Sequence, residues 1–476
     1  MARINTNVSA LAAHRGLARS QRTLSDTLEK LSSGLRINRG ADDPAGLIAS
    51  EGLRSEMAGI QQAIDNSSRA SNVISTAEAS LSEVASLLLN VKELIVEAAN
   101  TGGLSPDEIQ ANQLQIDSAI ESITRISNTA TFAGLHLLNG NLDYVTSGVD
   151  SSLIKALMVS QANFGTSSNM PVQVQVISAA QKAALQFRNS SITSAVTLEI
   201  TGKEGPTVLT FTSGTPASVI ADAINSVADS TGVAVDLINS ANATSGIVFR
   251  SAEYGSKNYV SITVRSGTFN TVDTAGVTKA RAVGVDAVAT INGAVTVGDG
   301  LNVRLNTTTL DLELTLDKTF GTGTSSFAIV GGGAKFQLGP RVTSNQQVSL
   351  GIQSVAGSKL GDDDIGFLSD IVTGGVASLD NGGAAKASQI IERAIRQVAV
   401  LRGKLGAFEK NALQTNINSL GVALENVTAA ESSIRDADFA AETSALTRAQ
   451  ILTQAGTSVL AIANSTPQSV LSLLRQ

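Results

Sequence analysis

Apolar positions recur at helical spacing at both ends of the chain and alternate in its middle. Ile4, Val8, Leu11, Leu17, Leu24, Leu28, Leu31 and Leu35 mark a thin stripe on one predicted helix. The stretch LSSGLRINRGADDPAGLIAS (31–50) breaks it. Gly34 and Gly40 permit backbone angles that other residues resist, and Asp43 ahead of Pro44 disfavours the α region. Helical spacing resumes at Leu47. Ile74, Ala77, Leu81, Val84, Leu88, Val91, Ile95 and Ala98 then alternate by three and four, a heptad seam. NTGG (100–103) stops that helix and SPDE (105–108) starts another, with Ser105 as N-cap, Pro106 at the first helical position and Glu108 closing a capping box. Ile109, Ile116, Ile120, Ile123 and Ile126 follow on one face, which predicts an antiparallel helical hairpin.

The other end mirrors this order. Ile391, Ile395, Val398, Leu401, Leu405 and Phe408 form a seam that continues through Leu413, Ile417, Leu420, Leu424, Val427 and Ile434. RDADF (435–439) breaks it. A last stripe runs through Leu452, Ala455, Val459 and Ile462, then Val470 and Leu474 after Pro467. Both ends therefore place a long heptad helix inside, a short amphipathic helix outside and a joint between them. Residues 171–370 are instead rich in Thr, Ser, Gly and Val. TLDLELTLD (309–317) alternates throughout, as a half-buried strand does. VTLEITGKEGPTVLTFTSG (196–214) predicts a hairpin. The segment 215–232 predicts a short helix, capped by Thr215 with Pro216 at its first position. GVAVDLIN, GIVFRS and YVSITVRSG predict further strands. The pattern is an α+β module inserted between two halves of a helical domain.

A length of 476 residues accommodates roughly three domains. Aromatic residues make up only 3% and Trp is absent, so the apolar surface is Ala, Leu, Ile and Val. With no Cys, disulfides, thiolate nucleophiles and Cys-ligated metals are excluded. A net charge of −7 argues against a nucleic-acid binder. Residues 1–40 depart from that balance, with seven Lys and Arg against Asp26 and Glu29, so this basic amphipathic end suits a membrane surface or a partner helix. No apolar run reaches the length of a membrane span, and MARINTNVSALAAHRG lacks a signal-peptide core.

Candidate chemistry is sparse. Only His14 and His136 exist, and no His-Glu-x-x-His pair is present. GDDDIG (361–366) reads as a solvated turn, and VGGGAK (330–335) as a flexible connection lacking the rest of a phosphate loop. No catalytic set, cofactor site or metal site is expected. The heptads serve as the core of a bundle. The outer segments cannot bury their thin stripes alone and require partners.

ARINTNVSALAA, LEKLSSGLRINRGADDPAGLIASEGLRS and ASNVISTAEASLSEV resemble the amino-terminal region of bacterial flagellins. SSIRDADFAAETSALTRAQILTQAGTSVLAIANSTPQSVLSLL (432–474) resembles their carboxyl-terminal region. FQLGPRVTSNQQVSLGI (336–352) is similar to the hairpin of the family's helical domain, and 215–232 to a module of its variable insertions. The resemblance implies an α+β chain: terminal amphipathic helices, a long antiparallel heptad bundle with a β-hairpin, and an inserted β-rich module. It divides the chain into an inner-tube helix and spoke (1–44), bundle (45–170), solvent-facing insertion (171–333), hairpin (334–370), bundle (371–435) and inner-tube helix (436–476).

The resemblance implies a homopolymeric filament subunit for swimming motility, secreted without cleavage and located outside the cell. The implied partners are the flagellar export apparatus, a flagellin chaperone, the filament cap and hook-associated junction proteins. Leu11, Leu24, Leu28, Leu31, Val459, Leu460, Ile462 and Val470 would form the assembly interface. Gly34, Gly40, Asp43 and Pro44 would form the spoke joint, offsetting two helical layers that one continuous helix could not. LNVKELIV (89–96) aligns with the family's segment for the Toll-like receptor that senses flagellins, typically Gln-Arg-Val-Arg-Glu-Leu-Ala-Val. Val91, Glu93, Leu94 and Val96 match and Lys92 keeps its charge, whereas Leu89, Ile95 and above all Asn90, where receptor-binding members carry arginine, depart from it. Two other expectations are a hook–filament junction protein, separable by abundance, and a flagellin whose insertion displays an adhesin-like surface.

Overall fold

The computed structural model describes residues 6–165, 167–242 and 244–473, with side chains as far as Thr466. The chain divides into two compact units. One comprises Met1–Arg69, Gln337–Val342 and Asn411–Gln476, and the other Ala70–Phe336 and Thr343–Lys410. Eight α-helices are described: α1 (Val8–Ser33), α2 (Pro44–Ala98), α3 (Pro106–Thr129), α4 (Ala217–Asn225), α5 (Ala228–Thr231), α6 (Ala384–Phe408), α7 (Thr415–Arg435) and α8 (Phe439–Leu473).

In the larger unit the heptad positions of α2 from Ile74 to Ala98 are all buried. Arg402 pairs with Glu78 at 2.7 Å and Lys92 with Glu392 at 3.1 Å, so α6 runs antiparallel to this part of α2. The capping box of α3 forms as its sequence dictates, Ser105 accepting from the Glu108 amide and Glu108 accepting from Ser105. The buried Gln113 of α3 fastens the loop before α6, donating to the Ile371 carbonyl at 2.9 Å and accepting from the Leu379 amide at 2.8 Å.

The seam does not run unbroken from α6 to α7. From Phe408 to Leu413 the spacing is five, and the backbone meets it with a π-helical turn, Glu409–Gln414. Leu413 is fully buried, yet no residue of α7 is.

Two β-rich cores follow the helices. In the first, a five-stranded sheet (Ala294–Val295, Val288–Ile291, Met170–Ser178, Gly323–Gly332 and Tyr144–Ser147, in spatial order) shares its apolar interior with a four-stranded sheet (Val297–Asp299, Asn302–Asn306, Leu310–Leu316 and Ile154–Ala162). All described pairings in both are antiparallel. Leu310, Leu312, Leu314 and Leu316 point inward as alternation predicts. A short ladder pairs Thr131–Phe132 with Leu135–His136, and the strands of this first core begin at Tyr144, well ahead of residue 171. The segment Ile154–Ala162 is apolar enough to pass for helix, and its pairing with Leu310–Leu316 is what makes it a strand.

The second core lies between a three-stranded sheet (Lys182–Phe187, Ile247–Tyr254, Val233–Leu237), a four-stranded one (Arg281–Val283, Tyr259–Ser266, Val196–Thr201, Pro206–Phe211) and α4. The 196–214 hairpin pairs as expected. The helix after it is shorter than expected. Its N-cap is Pro216, without a side-chain cap, because Thr215 Oγ1 donates to the Thr212 carbonyl instead.

VGGGAK is not a flexible connection. Gly332 and Gly333 turn one strand into Ala334–Gln337 at φ of +90° and +78°, against Asp143 and Tyr144. GDDDIG is a turn pinned on one side, with Asp362 Oδ2 3.1 Å from Arg393 and Asp364 3.2 Å from Lys155. A Cβ at Gly333 would sit 2.7 Å from the Tyr144 ring, whereas one at Gly331 meets nothing within 4 Å. Gly333→Ala is therefore expected to destabilise the unit by about 2 kcal/mol or more and Gly331→Ala by under about 1 kcal/mol, as thermal unfolding of the two variants will report.

Candidate functional site

The smaller unit holds the two helix breaks and the two outer helices. At the first break Gly34 ends α1 in the left-handed region, φ +74°. Gly40 has no such angle, and a Cβ there would make only ordinary contact with Leu47, so the joint does not depend on it. Asp43 and Pro44 do not merely interrupt helix: they start α2, three residues before Leu47. Pro44 is its first residue, the Asp43 carbonyl accepts from the Leu47 amide at 2.9 Å, and Asp43 Oδ1 accepts from the Gly46 amide at 2.9 Å. Asp42 accepts from the Arg39 and Asn38 amides, which hold its carboxyl below the usual carboxylate range.

Two features of this joint are missed by sequence reasoning. Gly46 is crowded: a Cβ would lie 2.5 Å from the Asp43 carboxylate and 2.7 Å from the end of the buried Ile37 side chain, so either must move to admit it. The second feature is a stitch between the two breaks. Leu35 bridges Asp436 antiparallel, with the Arg36 amide donating to the Arg435 carbonyl at 2.7 Å and the Ala437 amide to the Gly34 carbonyl at 2.9 Å. The Arg36 guanidinium adds a bond to the Ile434 carbonyl. Arg435, largely buried, lies 3.3 Å from Glu51 and 4.0 Å from Glu431, and Glu431 also accepts from Ser50. The mirrored positions of the two joints are the only hint of this in the sequence.

Beyond the stitch α1 and α8 pair antiparallel. Asn7 Nδ2 donates to the Ala463 carbonyl at 2.8 Å, and Lys30 lies 3.7 Å from Glu442. Their seam is built from small residues: Ala449, Thr453, Gly456 and Ala463 on α8, with Gly456 so close to Leu17 that a Cβ would meet Leu17 Cδ1 at 3.2 Å. This differs from the stripe read in the sequence. Leu452, Val459 and Ile462 point outward, the last two 55% and 66% exposed. Leu11 and Leu28 of α1 are exposed as well, while Leu24, Leu31 and Leu460 are half-buried. The side chain of Val470 lies outside the described residues. The pair thus closes on the small residues of α8 and leaves Leu11, Leu28, Leu452, Val459 and Ile462 free. Val459 and Ile462 gain about 1.5–3 kcal/mol each only when something else covers them. On α2 and α7 an open groove of about 380 Å³ is lined by Arg54, Met57, Ala58, Gln61, Leu424 and Thr428.

The segment 89–96 lies on the larger unit. Leu89, Asn90 and Glu93 are exposed, Lys92 is engaged with Glu392, and Leu94 is buried, so Leu94 is not open to a partner. Among the described residues no group of three or more His, Cys, Asp or Glu side chains could hold a metal ion, and no helix is long and apolar enough to cross a membrane.

The profile of the bacterial flagellin N-terminal helical region matches residues 4–143, that of the C-terminal helical region residues 388–474, and that of the flagellin hook IN motif residues 196–253. The B-type flagellin of Pseudomonas aeruginosa is 30% identical over 504 residues, covering 99% of both chains. The chain belongs to the bacterial flagellins. Flagellin of Salmonella typhimurium is 29% identical and flagellin A of Helicobacter pylori 28%, again over 99% of both chains. This flagellin is a structural subunit of the flagellar filament, the polymer of bacterial motility. The junction-protein and adhesin readings are not favoured.

Because a Cβ at Gly46 would displace Asp43 or Ile37 and one at Gly40 would displace nothing, Gly46→Ala is expected to raise the concentration needed for polymerisation about threefold or more. Gly40→Ala should leave it within twofold, as sedimentation of polymer from a dilution series will measure.

Proposed function

We propose that this flagellin works by assembly and not by catalysis, and that polymerisation is driven by the outward apolar residues of α1 and α8. One observation carries the reading: the α1–α8 seam is closed by Ala449, Gly456 and Ala463, while Leu11, Leu28, Val459 and Ile462 stay in water. Such residues are worth having only if another copy buries them. On this reading both outer helices are marginal in the free chain and become ordered as they are covered. The half-buried Leu424 and Val427 of α7 are covered in the same way, and the heptad seams of α2, α3 and α6 act as a bundle core that needs no neighbour.

The family resemblance adds the remaining roles: export without cleavage, an extracellular location, a chaperone, a cap at the growing tip and hook-associated junction proteins. Truncation at Ser444 removes most of α8. It should leave the main thermal transition unchanged within a few degrees and abolish polymerisation in a turbidity or sedimentation assay. Polymer at the normal concentration would refute the reading.

The exposed strip of Leu89, Asn90, Glu93 and Val96 is the accessible part of the segment resembling the innate-receptor helix. Arginine offers a planar fork of five donors and a permanent charge, whereas asparagine is short and neutral. Truncating one partner of a charge-assisted hydrogen bond at an interface costs about 2–5 kcal/mol. The natural protein should therefore be a weak agonist in a reporter assay, and Asn90→Arg should gain at least tenfold in potency with unchanged melting. Strong signalling by the natural protein, with no gain from arginine, would refute this.

A further inference from the structure

Three Asn-Gly pairs occur in the chain: Asn139-Gly140, Asn292-Gly293 and Asn381-Gly382. Such a pair can react with itself. The glycine amide nitrogen needs only to close a five-membered ring onto the asparagine Cγ, and no Cβ shields it. In an unfolded chain the three pairs react alike. The fold makes them different.

At Asn292-Gly293 the side chain is tied down at both ends. Asn292 Oδ1 accepts from the Gln173 amide at 2.8 Å, and Nδ2 donates to the Pro171 carbonyl at 3.1 Å. Both partners belong to the strand Met170–Ser178, so Cγ cannot turn toward Gly293 without breaking two bonds to the sheet. At Asn381-Gly382 the attacking nitrogen is held instead. The Gly382 amide donates to the Leu379 carbonyl at 2.9 Å, and Asn381 Nδ2 donates to the Gly375 carbonyl at 3.2 Å. Asn139-Gly140 has neither restraint: among the described residues, neither the Gly140 amide nor Asn139 Nδ2 has a hydrogen-bond partner. The one bond its side chain does make favours reaction. Asn139 Oδ1 accepts from the Asn141 amide at 3.0 Å. Attack at Cγ places negative charge on Oδ1, so a donor already points at the oxygen that must carry it.

We propose that Asn139 is a site of spontaneous deamidation, selected by the fold over the other two pairs. The Gly140 nitrogen gives its proton to water and attacks Cγ. The new bond closes a succinimide ring as the Cγ–Nδ2 bond breaks and ammonia leaves. Water then opens the ring at either carbonyl, giving aspartate or isoaspartate, and nothing is oxidised or reduced. The backbone around this pair is pinned. Leu137 and Leu138 are fully buried, and the Leu138 carbonyl accepts from Ser127 Oγ at 2.6 Å and from the Val355 amide at 3.1 Å. On the other side the Leu142 carbonyl accepts from the Ile352 amide at 2.9 Å. Isoaspartate lengthens the backbone by one carbon between these fixed points, where the chain passes from α3 to the first β-rich core. A close-packed interior transmits such a change, so the product costs stability as well as adding a charge.

The full chain is incubated in warm neutral buffer, once folded and once in urea, and peptide mass spectrometry follows the mass gain at each of the three sites. In the folded chain Asn139 should convert at least tenfold faster than Asn292 or Asn381, while in urea the three rates should agree within about threefold. Asn139→Gln, which would need a larger ring, should keep its melting temperature through the same incubation. The natural chain should melt progressively lower as isoaspartate accumulates at Asn139. Equal rates at the three sites of the folded chain, or slower conversion at Asn139 than at either of the others, would overturn the proposal. Isoaspartate at Asn139 with unchanged melting would overturn its structural consequence.

Discussion

The smaller unit depends on two short backbone bonds, Arg36 to Arg435 and Ala437 to Gly34. Helices α1 and α8 share few large side chains, so their pairing cannot rely on hydrophobic burial alone. The stitch fixes the place where both chain segments leave their longer helices and so sets the register of everything beyond it. Arg435 reinforces it from the side, holding Glu51 of α2 and Glu431 of its own helix. Because the two breaks are hydrogen-bonded to each other, neither end can shift its register without disturbing the other.

Small residues then decide which face of each helix is used. A seam of Ala, Thr and Gly lets backbones approach closely and buries little area. The apolar residues left outside are large. The result is a pair just cohesive enough to form and well suited to further packing. The larger unit is the opposite case. Its heptad positions are closed by their own neighbours, and ion pairs such as Arg402 with Glu78 fix the register of α6 on α2.

Much of this is legible in the sequence because burial on one side imposes a period. The seams from Ile74 to Ala98 and from Ile391 to Leu405, the alternating leucines of 310–316, the capping box at Ser105 and both helix breaks follow from spacing and turn chemistry alone. Direction is harder to read than period. The stripe Leu452, Val459, Ile462 and the stripe Ala449, Gly456, Ala463 have the same helical repeat, and size misleads because the bulkier set suggests the interior. Glycines pose a similar problem. Gly40 and Gly46 look alike in sequence, and only the atoms a Cβ would meet separate them. The five-residue step from Phe408 to Leu413 is visible in the chain, but a π-helical turn is needed to interpret it. The strand Ile154–Ala162 owes its form to a partner 150 residues away.

α7 buries nothing fully, while α6 buries seven residues, and under the proposed assembly stability is a property of the population in one unit and of the molecule in the other. The larger unit unfolds at a temperature set by its own contacts. On the proposed assembly, folding and association of the smaller one share a single equilibrium, and its apparent midpoint would rise with the logarithm of subunit concentration. A chain travelling alone would then be only partly committed to its final shape, acquiring the rest by mass action where copies accumulate.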